Sequence, residues 1–344
     1  MFTELGERWV EPFVPTWSST EVRAKVVRAD RTTPGTVTLT LRPNRGWTGF
    51  AAGQHTQLSV EIDGVRHTRC YSMASSAHRA DGLIELTVKA HPDGIVSRQL
   101  VDHAASGLVV ALSPAQGDFT LPIERPERVL LISGGSGITP VLSMLRTLVD
   151  ERHTGPITFA HYALTEGDHC YRGELDAIAA ANPNVRVVRI YTDAPGTGDL
   201  DGFFDAVQLE AIDPRWRDAM TYVCGPAPLM DGVRSHYAAA GLADRHHDEA
   251  FTLASIVAES TGGTITFAST GATAADDGRP ILLQAEDAGL APDSGCRMGI
   301  CHTCTRSLVC GTVRDVTNGE LTTEPGAAVR ICVSAPVGDV AIDL

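Results

Sequence analysis

Asp293-Ser294-Gly295-Cys296-Arg297-Met298-Gly299-Ile300-Cys301-His302-Thr303-Cys304 holds three cysteines with four and then two residues between them, and Cys332 follows after twenty-seven more. That spacing wraps a plant-type two-iron, two-sulfur cluster, in which each thiolate binds one iron. Gly295 and Gly299 leave room for the chain to close over such a cluster and to aim backbone N–H groups at its sulfurs. A zinc knuckle would more often show paired two-residue spacings. A chain with this loop is expected to handle electrons one at a time.

The remaining sequence must supply and receive those electrons. With 344 residues, 43% of them hydrophobic, the chain is long enough for two or three domains with real cores. No run approaches a membrane span, and Met1-Phe2-Thr3-Glu4-Leu5-Gly6-Glu7-Arg8-Trp9 lacks the basic start and apolar run of a secretory signal, so a cytoplasmic protein is expected. Cys70, Cys170, Cys224 and Cys310 are scattered without a disulfide framework, which agrees with a reducing compartment. Cys310, in the strand-like run Ser307 to Val313, is expected to be a small buried residue. A net charge of −14, with Lys25 and Lys89 the only lysines, excludes the basic face that nucleic-acid binding needs. The acid excess lies in the later two thirds. It either steers a basic partner or only keeps the protein soluble.

Between Thr20 and Leu121 short alternating strands, such as Gly35–Leu41 and Leu83–Lys89, are divided by turns, and Asp63-Gly64 is a strong hairpin signal. A small antiparallel barrel follows from that pattern. At Arg128 the pattern changes. Val129-Leu130-Leu131-Ile132-Ser133 reads as a buried parallel strand, followed by a glycine loop and an apolar helix through Val149. Further strands at Ile157–Tyr162, Val185–Tyr191 and Met220–Cys224, with a helical stretch Gly173–Ala181, give a doubly wound α/β domain. Thr264-Ile265-Thr266-Phe267 opens a last, small mixed α/β fold around the cluster. The expected boundaries are an N-terminal extension 1–19, a barrel 20–124, a nucleotide domain 125–252, a linker 253–263 and a cluster domain 264–344. The extension, with Trp9, Pro12, Pro15 and Trp17, either packs across the barrel or forms a docking arm.

Four motifs carry the remaining chemistry. Arg69-Cys70-Tyr71-Ser72 combines a cation for a phosphate, a ring to stack on a flat cofactor and a hydroxyl to bond it. Lys89 and then Gly94-Ile95-Val96-Ser97 follow, opening a helix whose free N–H groups suit a pyrophosphate; the plainer role for Ser97 is a helix cap. Gly134-Gly135-Ser136-Gly137-Ile138-Thr139-Pro140 lies between strand and helix, where backbone N–H groups can cradle a dinucleotide phosphate, although the third fingerprint glycine is missing. Cys224-Gly225-Pro226 ends another strand at the same carboxyl edge.

These motifs in this order resemble the ferredoxin–NADP reductase superfamily over nearly the whole chain after Thr20, and the domain order resembles the reductase components that feed oxygenases and desaturases. The stretch Val60 to Ser76 looks most like actinobacterial flavin reductases paired with fatty-acid desaturases or hydroxylases. The resemblance implies a flavin barrel, a nicotinamide domain and a β-grasp ferredoxin domain of α+β class. It implies FAD in preference to FMN, with Arg69, Tyr71, Ser72, Val88, Lys89, Gly94, Val96 and Ser97 around it. It implies NADH or NADPH at Gly135, Ser136, Gly137, Thr139, Pro140, Gly225 and Pro226, and a cluster on Cys296, Cys301, Cys304 and Cys332. Ser72, Cys224 and Glu249 match a polar trio around flavin N5 and nicotinamide C4, and Phe251 matches the aromatic residue that shields the ring. NADPH-using relatives tend to carry an Arg or Ser pair where this chain reads Leu164-Thr165, followed by the acidic Glu166, which tilts the expectation toward NADH, although Arg172 could still reach a 2′-phosphate.

The implied activity passes electrons from NAD(P)H through flavin and cluster to a separate terminal oxygenase, hydroxylase or desaturase. Flavin is needed because nicotinamide gives two electrons together and the cluster accepts one. Two alternatives differ: a dihydroorotate-dehydrogenase-type electron-transfer subunit, disfavoured by the twenty-seven-residue gap, and a non-catalytic redox sensor, disfavoured by the retained trio.

Overall fold

The computed structural model describes residues 16–92, 94–251, 262–295, 297, 299 and 302–344. They fall into two compact units, Met1–Ala250 and Phe251–Leu344. Trp17 is 40% exposed and the Thr16 carbonyl accepts a hydrogen bond from Asn44; Trp9, Pro12 and Pro15 lie outside the described residues.

The first unit opens with β1 (Val22–Asp30), β2 (Thr36–Pro43), β3 (His55–Ile62), β4 (Val65–Ser72), β5 (Ile84–Lys89), helix α1 (Ile95–His103) and β6 (Val109–Leu112). The sheet order is β4-β3-β6-β1-β2-β5, antiparallel where adjacent strands pair, and a bridge from Met73 to Leu86 joins its two edges, so the sheet curls shut as a barrel. Alternating apolar residues, among them Val37, Leu39, Leu41, Leu58, Leu86 and Val88, fill the interior. Asp63 (φ 52°) and Gly64 (φ 77°) form the expected two-residue turn, with Ile62 paired to Val65 across it.

The same unit continues through β7 (Val129–Gly134), α2 (Ile138–Asp150), β8 (Ile157–Ala163), α3 (Arg172–Ala181), β9 (Val185–Tyr191), β10 (Leu200–Asp201), α4 (Ala206–Ile212), β11 (Met220–Cys224), α5 (Ala227–Ala239) and β12 (His246–Glu249). These strands run parallel in the order β10-β9-β8-β7-β11-β12. Winding reverses between β7 and β11, the place where such sheets leave a crevice for a ligand. β7 and β8 are buried along their whole length, which is why the Val129–Ile132 part of β7 reads as a continuous apolar run rather than an alternating one. α2 buries Ile138, Val141, Leu142, Met144, Leu145 and Leu148, each such side chain contributing about 1.5–3 kcal/mol.

Barrel and parallel sheet meet along a polar seam. Arg146 on α2 donates to Glu85 on β5 (2.8 Å), to Glu174 on α3 (2.6 Å) and to the Ala74 carbonyl (2.7 Å). The Tyr171 ring sits under the Arg146 guanidinium, and its hydroxyl bonds Thr87 and Thr38. Burial works to raise the Glu85 carboxyl, but Arg146 and Arg79 outweigh it and hold it below the usual range.

The second unit contains β13 (Thr264–Phe267), β14 (Thr273–Ala275), α6 (Ile281–Asp287), β15 (Thr305–Cys310), β16 (Val313–Asp315), β17 (Leu321–Thr322), β18 (Ala328–Arg330), β19 (Ser334–Pro336) and β20 (Val340–Ile342). One sheet runs β14-β13-β20-β15-β18, with β13 parallel to β20, and a smaller one runs β17-β16-β19. Ile281, Leu282 and Ala285 of α6 pack on Ile265, Phe267, Leu308 and Ile342, the grasp of sheet around helix that the sequence led us to expect. Cys310 is exposed rather than buried. The register slips between Leu308 and Cys310, so the alternation that would have turned Cys310 inward is broken.

Candidate functional site

The glycine turn after β7 abuts the turn after β11. A single 3-10 turn, Gly135–Gly137, leads into α2, and a Cβ on Gly137 would lie 2.2 Å from the Cys224 carbonyl oxygen. Only glycine permits that approach. Thr139 ties the turn by donating to the Ser136 carbonyl (3.3 Å), and Pro140 is buried in the first turn of α2.

A crevice of about 320 Å³ opens there. Lys89, Gly134, Gly135, Pro226 and Leu229 line one part, and Leu164, Asp168, Thr192 and Phe203 line the part beyond the ends of β8 and β9. Asp168 and Phe203 were not anticipated. Both sit in loops of no distinctive pattern, and only the sheet order brings them to one edge. Glu166, expected to face the nucleotide, instead lines a neighbouring polar cavity and is ion-paired with Arg172, which also bonds Tyr191. That pairing takes Arg172 away as a ready partner for a 2′-phosphate.

At the seam, His55 and Ser72 are partners across β3 and β4, while Cys224 and Glu249 are partners across β11 and β12. The His55 Nδ1 lies 3.5 Å from Glu249 Oε1, which links the two pairs. Ser72 is 4% exposed and Cys224 fully buried. Burial, helped by the carboxylates of Glu249 and Asp248, pushes the Cys224 thiol well up, so it stays protonated at neutral pH. Phe251 is the first residue of the second unit and half-buried.

The other flavin-motif residues lie on the barrel. Arg69 bonds the Thr68 carbonyl (2.7 Å), and Tyr71 packs on the barrel core, its phenol raised by burial. Val88 and Val96 have their side chains in that core, so only their backbone is left to meet a ligand. α1 begins at Ile95, and its N-cap residue Gly94 supplies no side-chain hydrogen bond. Ser97 is therefore not a cap; its hydroxyl accepts from the His91 N–H (3.1 Å) and donates to the Gly94 carbonyl (3.3 Å). The fit to a flavin is good. An uncapped helix start offers N–H groups, and neither ring nitrogen of His55 nor Glu249 Oε2 has a hydrogen-bond partner among the described residues, as expected where a polar ligand completes the site.

In the second unit Cys304 and Cys332 are buried, and Gly299 N–H donates to Cys332 Sγ at 3.3 Å. Such a bond suits a thiolate ligand. Arg330 clamps the loop, donating to the Gly299 carbonyl (2.6 Å) and to Asp315 (2.7 Å). Gly299 has φ 77°, and a Cβ there would come within 2.9 Å of Val333. Cys296 and Cys301 lie outside the described residues. The donors that are described fit an iron–sulfur cluster.

Family models for an oxidoreductase FAD-binding domain, an oxidoreductase NAD-binding domain and a 2Fe-2S iron-sulfur cluster binding domain match residues 24–121, 131–235 and 265–337. An NADPH oxidoreductase of Mycobacterium tuberculosis is 37% identical over 334 residues, covering 96% of this chain and 86% of that protein. The chain belongs to the three-domain flavin and iron–sulfur reductases of the ferredoxin–NADP reductase superfamily. A glycine betaine monooxygenase reductase subunit of Pseudomonas aeruginosa is 31% identical, covering 86% of this chain and 87% of that one. The fold matches phthalate dioxygenase reductase at a TM-score of 0.64 and 22% identity, over 94% of this chain and 98% of that one. This reductase is an oxidoreductase that carries electrons from NAD(P)H through FAD to a 2Fe-2S centre. No helix among its described residues is long and apolar enough to cross a membrane.

Proposed function

We propose that this reductase delivers its electrons to a separate terminal oxygenase, hydroxylase or desaturase in the cytoplasm, and that NADH is the preferred donor. The reductase subunits among its relatives support such an acceptor. Asp168 in the crevice, and Arg172 already neutralised by Glu166, support NADH, since a 2′-phosphate near Asp168 would be repelled while the charge of Arg172 is already paired. The Mycobacterium tuberculosis relative is named for NADPH, and a higher kcat/KM for NADPH than for NADH in this protein would overturn the preference.

FAD, when bound, accepts a hydride from nicotinamide and gives up its two electrons singly, which the cluster can take. The chain's own part is geometry. Gly134 to Gly137 would hold the dinucleotide phosphate on backbone N–H groups, and the uncapped start of α1 with Lys89 would hold acid groups on the barrel side. Ser72, Cys224 and Glu249 would line the place where the two rings meet, with Cys224 as a neutral thiol that fills space without repelling hydride. The observation that carries this reading is the abutment of the Gly137 turn on the Cys224 backbone carbonyl, which brings the glycine turn and the end of β11 together. Cys224→Ala should slow anaerobic flavin reduction in stopped flow on the order of a hundredfold, the scale of a misplaced reacting atom, with little change in nucleotide affinity. Unchanged reduction would remove Cys224 from the site.

A further inference from the structure

His55 belongs to none of the motifs, yet it sits at the centre of the seam. It starts β3 after Gly53-Gln54, is 2% exposed, and its backbone is held on one side by Ser72 and on the other by reciprocal bonds with Gln116 (3.0 and 2.9 Å). A core histidine of the ordinary kind would have its nitrogens satisfied by protein. Here neither has a hydrogen-bond partner among the described residues, and Glu249 Oε1 at 3.5 Å is the charged group facing Nδ1.

The surroundings keep that contact clear. Gly117 (φ 107°) passes so close that a Cβ would lie 3.0 Å from His55 Nδ1 and 3.8 Å from Glu249 Oε1. Gln54 Nε2 fixes this segment by donating to the Gly117 carbonyl at 3.2 Å. A separation of 3.5 Å is long for a hydrogen bond, and such bonds in ligand-free sites commonly tighten when the ligand is in place. Glu249 ends β12 and is 13% exposed, so a partner on the barrel is what can fix its carboxylate relative to the flavin side.

We propose that His55 is a positioning residue for hydride transfer: its Nδ1–H donates to Glu249 Oε1 and holds that carboxylate beside Ser72 and Cys224. The inference rests on the site reading above, in which Glu249 and Cys224 border the reacting rings. His55 itself need not touch either ring. No proton or electron is transferred by it.

The test uses holoprotein carrying FAD and cluster, with His55→Phe, His55→Asn, Glu249→Gln and the His55→Phe/Glu249→Gln double variant. His55→Phe should slow flavin reduction at saturating NADH about tenfold, and His55→Asn, whose amide can reach the same carboxylate, should recover most of that loss. The double variant should be no slower than Glu249→Gln. The flavin midpoint potential, titrated spectroelectrochemically, should move the same way in His55→Phe and Glu249→Gln, without a further shift in the double variant. Independent, multiplying effects on rate with separate potential shifts would overturn the coupling, as would wild-type behaviour of His55→Phe. Cys224→Ala measured alongside separates the two levels: if it reduces normally the site reading falls, and if it alone is slow only the role of His55 falls.

Discussion

Cys224 and Asp168 show how single side chains take their chemistry from placement. A cysteine in this sheet could have been a reactive thiolate, but full burial and two nearby carboxylates keep the proton on it. Asp168 accepts a hydrogen bond from Thr165 (2.7 Å) and lines the crevice beyond β8, where a second negative charge on a nucleotide ribose would be repelled. Asp168→Asn should therefore raise the NADPH:NADH ratio of kcat/KM on the order of tenfold, measured by steady-state cytochrome c reduction. An unchanged ratio would mean that discrimination lies elsewhere.

Between elements, the decisive contacts are those that lock α2 to β5 and α3. Arg146 is 14% exposed and Glu85 9%, so removing the guanidinium leaves a buried carboxylate with Arg79 and, at 4.0 Å, the exposed Arg28. Arg146→Met should cost about 3 kcal/mol, read from denaturant unfolding followed by flavin release. Glu174, 38% exposed, makes the outer half of the same network, and Glu174→Gln should cost less than about 1 kcal/mol. Equal costs would show that burial does not set the energetics of the seam. The network was hidden from sequence reading because its members come from three separate elements.

For the molecule as a whole, acid should act through carboxylates held low by arginines. Arg125 donates to both oxygens of Glu151, and His78 adds a third bond, bringing the carboxyl down to about 2 from an ordinary 4.5. A depressed folded-state value stabilises fully above the unfolded value and loses that stabilisation as pH falls from about 4.5 through about 2. Glu85 acts in the same direction. The Tm of the wild-type protein should fall between about pH 5 and pH 2, and Glu151→Gln should fall less steeply over that interval, as seen by scanning calorimetry. Parallel curves would remove Glu151 from the acid response.

The sequence by itself determined the order of the three folds, the hairpin at Asp63-Gly64, the Gly134–Gly137 turn and the cluster spacing. Each is written in residues close together in the chain, where backbone conformation and ligand geometry demand particular side chains. The tertiary structure alone decided that His55 faces Glu249, that Asp168 rather than Glu166 lines the crevice, that Arg172 is already paired, and that a register slip exposes Cys310. These depend on which strands become neighbours and on a one-residue shift in pairing. No local pattern records either, because they follow from packing between segments far apart in the chain.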